Sequence, residues 1–379
     1  MVNKMNRKLI FPFLGLVLVL LACKIPAGTV TPVVVAIPTP STPPLPVVSS
    51  PEIVTLDMLD VNHGWGISEM AVLRTTDGGA TWVNASPAGL GGTLASSFFL
   101  DAATGWVAVS GTDPTSGTLY HTTDGGVTWT STTVPFGGGS IKFVDSQHGW
   151  ELVGLSAGMS HEAVAVFRTS DGGATWSQVL IDDPTFAGSS DSLPLVGDKN
   201  GITALDNTHA WVTGSQPSSD FIYIYTTGDG GTTWAHQDLT IPAGYSGAMT
   251  SADLPVFFGT RDGVLPVLLF ANNTGSDFYV SHDGGQTWTA TAPVAQGGFL
   301  AVASAADFFV WDGNAPMNVS HDAGVSWSTV TPNVNLDGNM VSMEFVNSAT
   351  GWAVTTDASS HYSLYKTIDG GSTWNILVP

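Results

Sequence analysis

Four aspartates, Asp182, Asp183, Asp191 and Asp198, crowd one stretch of the chain, and an adjacent pair, His161 and Glu162, precedes them. Paired carboxylates can divide the acid and base roles of glycoside hydrolysis. Carboxylates gathered around an imidazole can instead accept a cation or a basic surface, which relieves their mutual repulsion. No H-E-x-x-H follows Glu162 and no D-x-D-x-D-G loop occurs, so neither zincin nor EF-hand chemistry is written here. The segment GLSAG at 154–158 matches the G-x-S-x-G nucleophile pattern, but that chemistry needs a strand-to-helix elbow and this segment falls between two strands. The six residues are therefore expected to form a contact region, with no catalytic residue, metal or cofactor.

Seven further aspartates recur about every 49 residues, a spacing that belongs to propeller blades and similar arrays. They are Asp77, Asp124, Asp171, Asp229, Asp283, Asp322 and Asp369, each inside a copy of [S/T]-x-D-[G/A]-G-x-[T/S]-W. The copies end in Trp82, Trp129, Trp176, Trp234, Trp288, Trp327 and Trp374. A second motif, of the form D-x-x-x-G-W, runs ahead of the box and ends at Trp65, Trp106, Trp150, Trp211 and Trp352. The sixth unit carries Trp311 in the looser FFVWDG, and the fifth has TRDGVLPV instead.

The physics of the box is that of a hairpin. Asp-Gly-Gly supplies two residues that accept positive φ and a carboxylate able to receive the amides of its own turn. The segments before it (AVLRT, TLYHT, FIYIYT, DFYVS) are apolar, β-branched and aromatic and read as strands. A catalyst has no use for seven equivalent aspartates, whereas a repeating frame needs seven equivalent turns, so the boxes are expected to be scaffold. Four short strands per unit give an all-β fold, a seven-bladed β-propeller of four-stranded antiparallel blades.

These paired motifs resemble the Asp-box (BNR) repeat propellers, and their combination looks most like the photosystem II stability and assembly factor family. The resemblance covers residues 52–379 and implies a chaperone-like binder of membrane-protein subunits outside the cytoplasm. In that family an arginine patch is thought to meet the partner, and nothing here matches it.

The N-terminus reads as a lipoprotein signal peptide over residues 1–22. Lys4, Arg7 and Lys8 precede an apolar run from Leu9 to Ala22, too short to span a bilayer comfortably. The run closes in LLAC, similar to a lipobox, with Cys23, the single cysteine, as the lipidated residue. Residues 23–51 form a Pro/Thr-rich tether, extended and semi-rigid. The expected location is the outer face of the cytoplasmic membrane or the cell surface, with the membrane met through the lipid alone.

Charge narrows the partners. The chain holds 31 acidic and 10 basic residues, net −21. Four of the basic residues precede position 25, which excludes nucleic acid as a partner of the propeller. Of the arginines, only Arg74, Arg168 and Arg261 lie after the tether, too scattered for the arginine cluster of a sialidase. A xyloglucanase would need two tandem propellers. The two motif turns share one face, and length variation falls on the other: the links 177–200 and 235–254 and the loops 109–119, 153–163, 213–220 and 354–361. Binding concentrates on variable loops over a rigid frame. The reading is a monomeric, lipid-anchored, non-enzymatic module that binds a protein or glycan; the alternative is a surface glycan-active enzyme of glycoside-hydrolase type.

Overall fold

The computed structural model describes residues 44–378 apart from 113–114, 159–160, 217–219, 272–273 and 315. The segment expected to be a signal peptide, Cys23 and the expected tether up to residue 43 lie outside the described residues. Among those described the chain has no helix, and its strands form antiparallel sheets. Among the described residues they form six sheets, four of them four-stranded; the first has five strands, and one of nine spans the fourth and fifth sequence units, joined through Ser215↔Ser251 and Gln216↔Thr250. The first unit runs Thr55–Met58, Gly64–Ile67, Val72–Thr75 and Trp82–Asn84. The fold is a β-propeller.

Residues 44–51, assigned to the tether from the sequence, belong to the folded unit. Val47–Val48 pairs with Trp82–Asn84 as an extra outer strand, and Leu45 packs against the cluster of Trp65, Val72 and Phe99. Proline-rich composition hid a short β pairing that only the neighbouring strand supplies.

One hydrogen-bond pattern builds every box. In the first, Thr75 Oγ1 donates to Asp77 Oδ1 and accepts the Gly79 amide, each at 2.9 Å. The Thr81 amide and hydroxyl donate to the two oxygens of Asp77 at 2.9 and 2.6 Å. Gly78 and Gly79 sit at φ 72° and 91°, in the left-handed region. In the sixth box Ala323 takes that conformation at φ 59°. The two motifs occur together because they are bonded together: the Gly78 amide donates to Asn62 O, and the equivalent bond recurs in each unit through Gly125, Gly172, Gly230, Gly284, Ala323 and Gly370.

Four of the motif tryptophans join a unit to the next. Trp65 Nε1 donates to Asp101 O, Trp106 to Gly172 O, Trp150 to Asp206 O and Trp352 to Gly78 O, at 2.8 to 3.2 Å. All four rings are fully buried. The last of these bonds joins the seventh unit to the first. There Ile53, Met58 and Trp82 pack with Trp352, Val354 and Leu364, so the ring is closed by packing and not by a shared strand. In the sixth unit Phe309, paired with Ala301, takes the register position that Trp65 and Trp150 hold in theirs, and it stacks on Phe345 of the seventh at 3.7 Å. Trp311 lies two residues on and donates to Asn314 O at 2.5 Å. In the fifth unit Pro266 interrupts the pattern. The innermost strand breaks around Asp253–Pro255 opposite it, as a proline inside a sheet requires.

Candidate functional site

The third unit holds a long hairpin, Gly149–Gly158 with His161–Thr169, and its outer strand Ser177–Asp182 leads through a link to Asp198–Ala204. GLSAG lies on this hairpin, where Ser156 faces Ala163 across the ladder; no nucleophile elbow forms. The link is ordered by its own core. Leu193 is fully buried beside Val164, Leu180 and Tyr223, so this is not a loop that tolerates replacement by a flexible spacer, as its length and polarity suggest.

Lys199 organises the link, and the sequence reading missed it. Its Nζ donates to Glu162 O, Pro194 O, Leu195 O and Gly197 O at 2.8 to 3.0 Å and stands 5.3 Å over the Tyr223 ring. Tyr223 Oη donates to Pro194 O at 3.2 Å. Burial pulls the Lys199 ammonium down to about 8, against the opposing fields of Glu162, Asp182 and Asp198. A lone lysine inside an acidic stretch was the available signal.

The structure sorts the six expected residues into four groups. Glu162 accepts the Lys199 amide at 2.7 Å and serves the link. Asp183 accepts the amide and hydroxyl of Thr185, both at 2.8 Å, and caps a turn. Asp198 is exposed at the head of its strand. His161, Asp182 and Asp191 converge on one pocket of about 470 Å³, with Pro184, Ser190 and Pro194. Asp182 is 4% exposed and its Oδ2 has no hydrogen-bond partner. Burial pushes this carboxyl up to about 6, and Asp191 and Asp183 add to the shift. Phe186, on the same link, is 58% exposed. Among the described residues no group of His, Cys, Asp or Glu is placed to hold a metal ion.

The three arginines are part of the frame. Arg74 and Arg168 lie over Trp65 and Trp150 and donate to Gly125 O and Gly230 O of the following unit, at 3.0 and 3.2 Å. Arg261 donates to His282 O at 3.1 Å. Lys366 repeats the arrangement on Trp352 and Gly78 O, at 4.8 and 3.1 Å.

Repeated boxes on a closed succession of four-stranded units define an Asp-box β-propeller. The BNR/Asp-box repeat model matches residues 279–290. The structure of YCF48 bound to a D1 peptide is similar at 18% identity and TM-score 0.53, covering 86% of this chain and 98% of its own. YCF48 from Cyanidioschyzon merolae gives 17% and 0.50, covering 85% and 97%. An ulvan lyase, a polysaccharide lyase PL25 bound to -[GlcA(1-4)Rha3S]-, gives 10% and 0.50, covering 87% and 95%. These are likenesses of fold. A comparison of sequence with curated proteins finds no match.

Proposed function

We propose that the chain is a lipid-anchored extracytoplasmic propeller that binds a protein partner without catalysis, and that a basic side chain of the partner enters the pocket at Asp182. The observation that carries this reading is the buried, unpartnered Oδ2 of Asp182 in a pocket shared with Asp191. A carboxylate so placed gains most from an incoming ammonium or guanidinium. The exposed Phe186 beside it is the kind of aromatic anchor on which protein interfaces depend. The peptide in the YCF48 structure supports a polypeptide as the class of partner. Cys23, after the apolar run Leu9–Ala22, supplies the anchor.

The test is retention of extracytoplasmic proteins on the immobilised full-length chain, comparing wild type with Asp182→Asn/Asp191→Asn and with Phe186→Ser. Partners held by wild type should be lost from both variants at an unchanged melting temperature. Equal retention removes the pocket from the reading. Glycan turnover that Asp182→Asn abolishes would identify a glycan-active enzyme instead.

A further inference from the structure

Six lysines and arginines lie among the described residues: Arg74, Lys142, Arg168, Lys199, Arg261 and Lys366. Five of them donate to backbone carbonyls. Lys142 is the exception. Its ammonium lies 4.6 Å over the Phe98 ring and makes no hydrogen bond or ion pair with a described residue. Lys142 stands on the innermost strand of the third unit, opposite Trp150. Asp57 occupies the same register on the first unit, opposite Trp65, and its side chain also has no hydrogen-bond partner among the described residues. Both line one cavity of about 580 Å³, walled by innermost strands and their turns, with Phe98, Leu205, Leu254 and Phe257 among its apolar groups.

We propose that this central cavity is a binding site for small apolar zwitterions of amino-acid to dipeptide size, with Lys142 receiving the carboxylate and Asp57 the ammonium. Two opposite charges share the cavity without reaching each other. An anion alone meets the field of Asp57, and a cation alone meets that of Lys142; a ligand bearing both signs at its two ends satisfies both. The volume is within the range of small-molecule sites, and the walls take an apolar side chain. Each charge is partly stripped of water. Burial raises Asp57 to about 6 against the opposing pull of Lys142, and burial lowers Lys142 against the pull of Asp57. Glu344, the neighbouring carboxyl, is raised to about 8 by burial and by Asp57, and already accepts the Met58 amide at 2.9 Å. One of its oxygens is thus committed to the backbone.

Isothermal titration calorimetry of the full-length protein with L-phenylalanine, L-leucine and Leu-Phe tests this. At least one should bind. For that ligand, the analogue lacking the carboxylate and the analogue lacking the ammonium (phenethylamine and 3-phenylpropionate in the phenylalanine case) should each bind at least about tenfold more weakly, the loss of one charge-assisted bond. Lys142→Met and Asp57→Asn should each weaken binding by a similar factor. If a variant does not fold, the analogue series on wild type decides alone. No binding by any of the three probes, equal binding of either single-charge analogue, or an unchanged affinity in folded Lys142→Met overturns the proposal.

Discussion

The indole N–H of Trp352 donates to the carbonyl of Gly78 at 3.0 Å, across 274 residues of sequence. The bond has the form of the one from Trp106 to Gly172 between the second and third units. The seam between the last unit and the first is thus another unit-to-unit contact, reinforced by Lys366 on the same carbonyl and by Glu344 on the Met58 amide.

Trp352→Ala should cost about 3–5 kcal/mol, the usual range for a large buried aromatic. Lys366→Met keeps an apolar stem on the ring and removes one partly exposed donor, so about 1 kcal/mol is expected. Urea unfolding followed by tryptophan fluorescence measures both. A Trp352→Ala loss no larger than that of a surface substitution would show that the seam does not hold the fold together.

Stability should peak in mildly acidic solution. Glu344 is raised from 4.5 to about 8, and Asp57, Asp182 and Asp277 from 3.8 to about 6. Each keeps its proton when folded over a window in which the unfolded chain has released it. Their contribution is therefore complete at low pH and is lost as pH rises from about 4 towards 8. The box aspartates act oppositely. Their own hydroxyl and amide donors outweigh desolvation and hold them below the usual range, Asp283 at about 2, so their contribution is lost as pH falls below about 4. Calorimetry should give a higher melting temperature at pH 5 than at pH 8. Glu344→Gln, which retains an oxygen for the Met58 amide, should shrink that difference; an undiminished difference would mean that Glu344 is ionised in the native state.

Two box substitutions should move stability in opposite directions. Asp171→Ala removes the acceptor of the Thr169 hydroxyl, the Thr175 amide and the Thr175 hydroxyl, and about 1–3 kcal/mol should be lost. Ala323→Gly relieves a side chain held at φ 59° and should add about 0.5–1 kcal/mol. Chemical denaturation of the two variants in parallel reads both signs.

Anchoring through Cys23 predicts that the protein fractionates with membranes and that Cys23→Ser abolishes labelling by a palmitate analogue. Equal labelling of the two proteins would remove the anchor.

The boxes and the D-x-x-x-G-W turns were legible because each is a local structure repeated: Asp77 bonds within four residues of itself, and so does every counterpart. What escaped depends on partners far away in sequence. Trp176 donates to Gly173 O at 3.1 Å but stays half-buried, so it contributes less than Trp82 or Trp374. Trp129 reaches across to Ala85 O of the first unit instead, at 2.8 Å. Phe309 substitutes for a tryptophan that pattern matching sought at Trp311. The acidic stretch was correctly seen as dense in carboxylates, but nothing local showed that Lys199 would neutralise part of it, or that only His161, Asp182 and Asp191 would meet.

The direction of the tryptophan contacts has a consequence for how such a ring is assembled. Donor and acceptor lie on opposite flanks of a unit, a head-to-tail contact of the kind that makes rings from separate subunits when the rotation closes. A duplicated unit inherits both halves of the joint, so it fits its neighbours from the moment it arises. For the same reason, a chain severed between two units leaves fragments with one donor flank and one acceptor flank each, and these can rejoin in only one cyclic order.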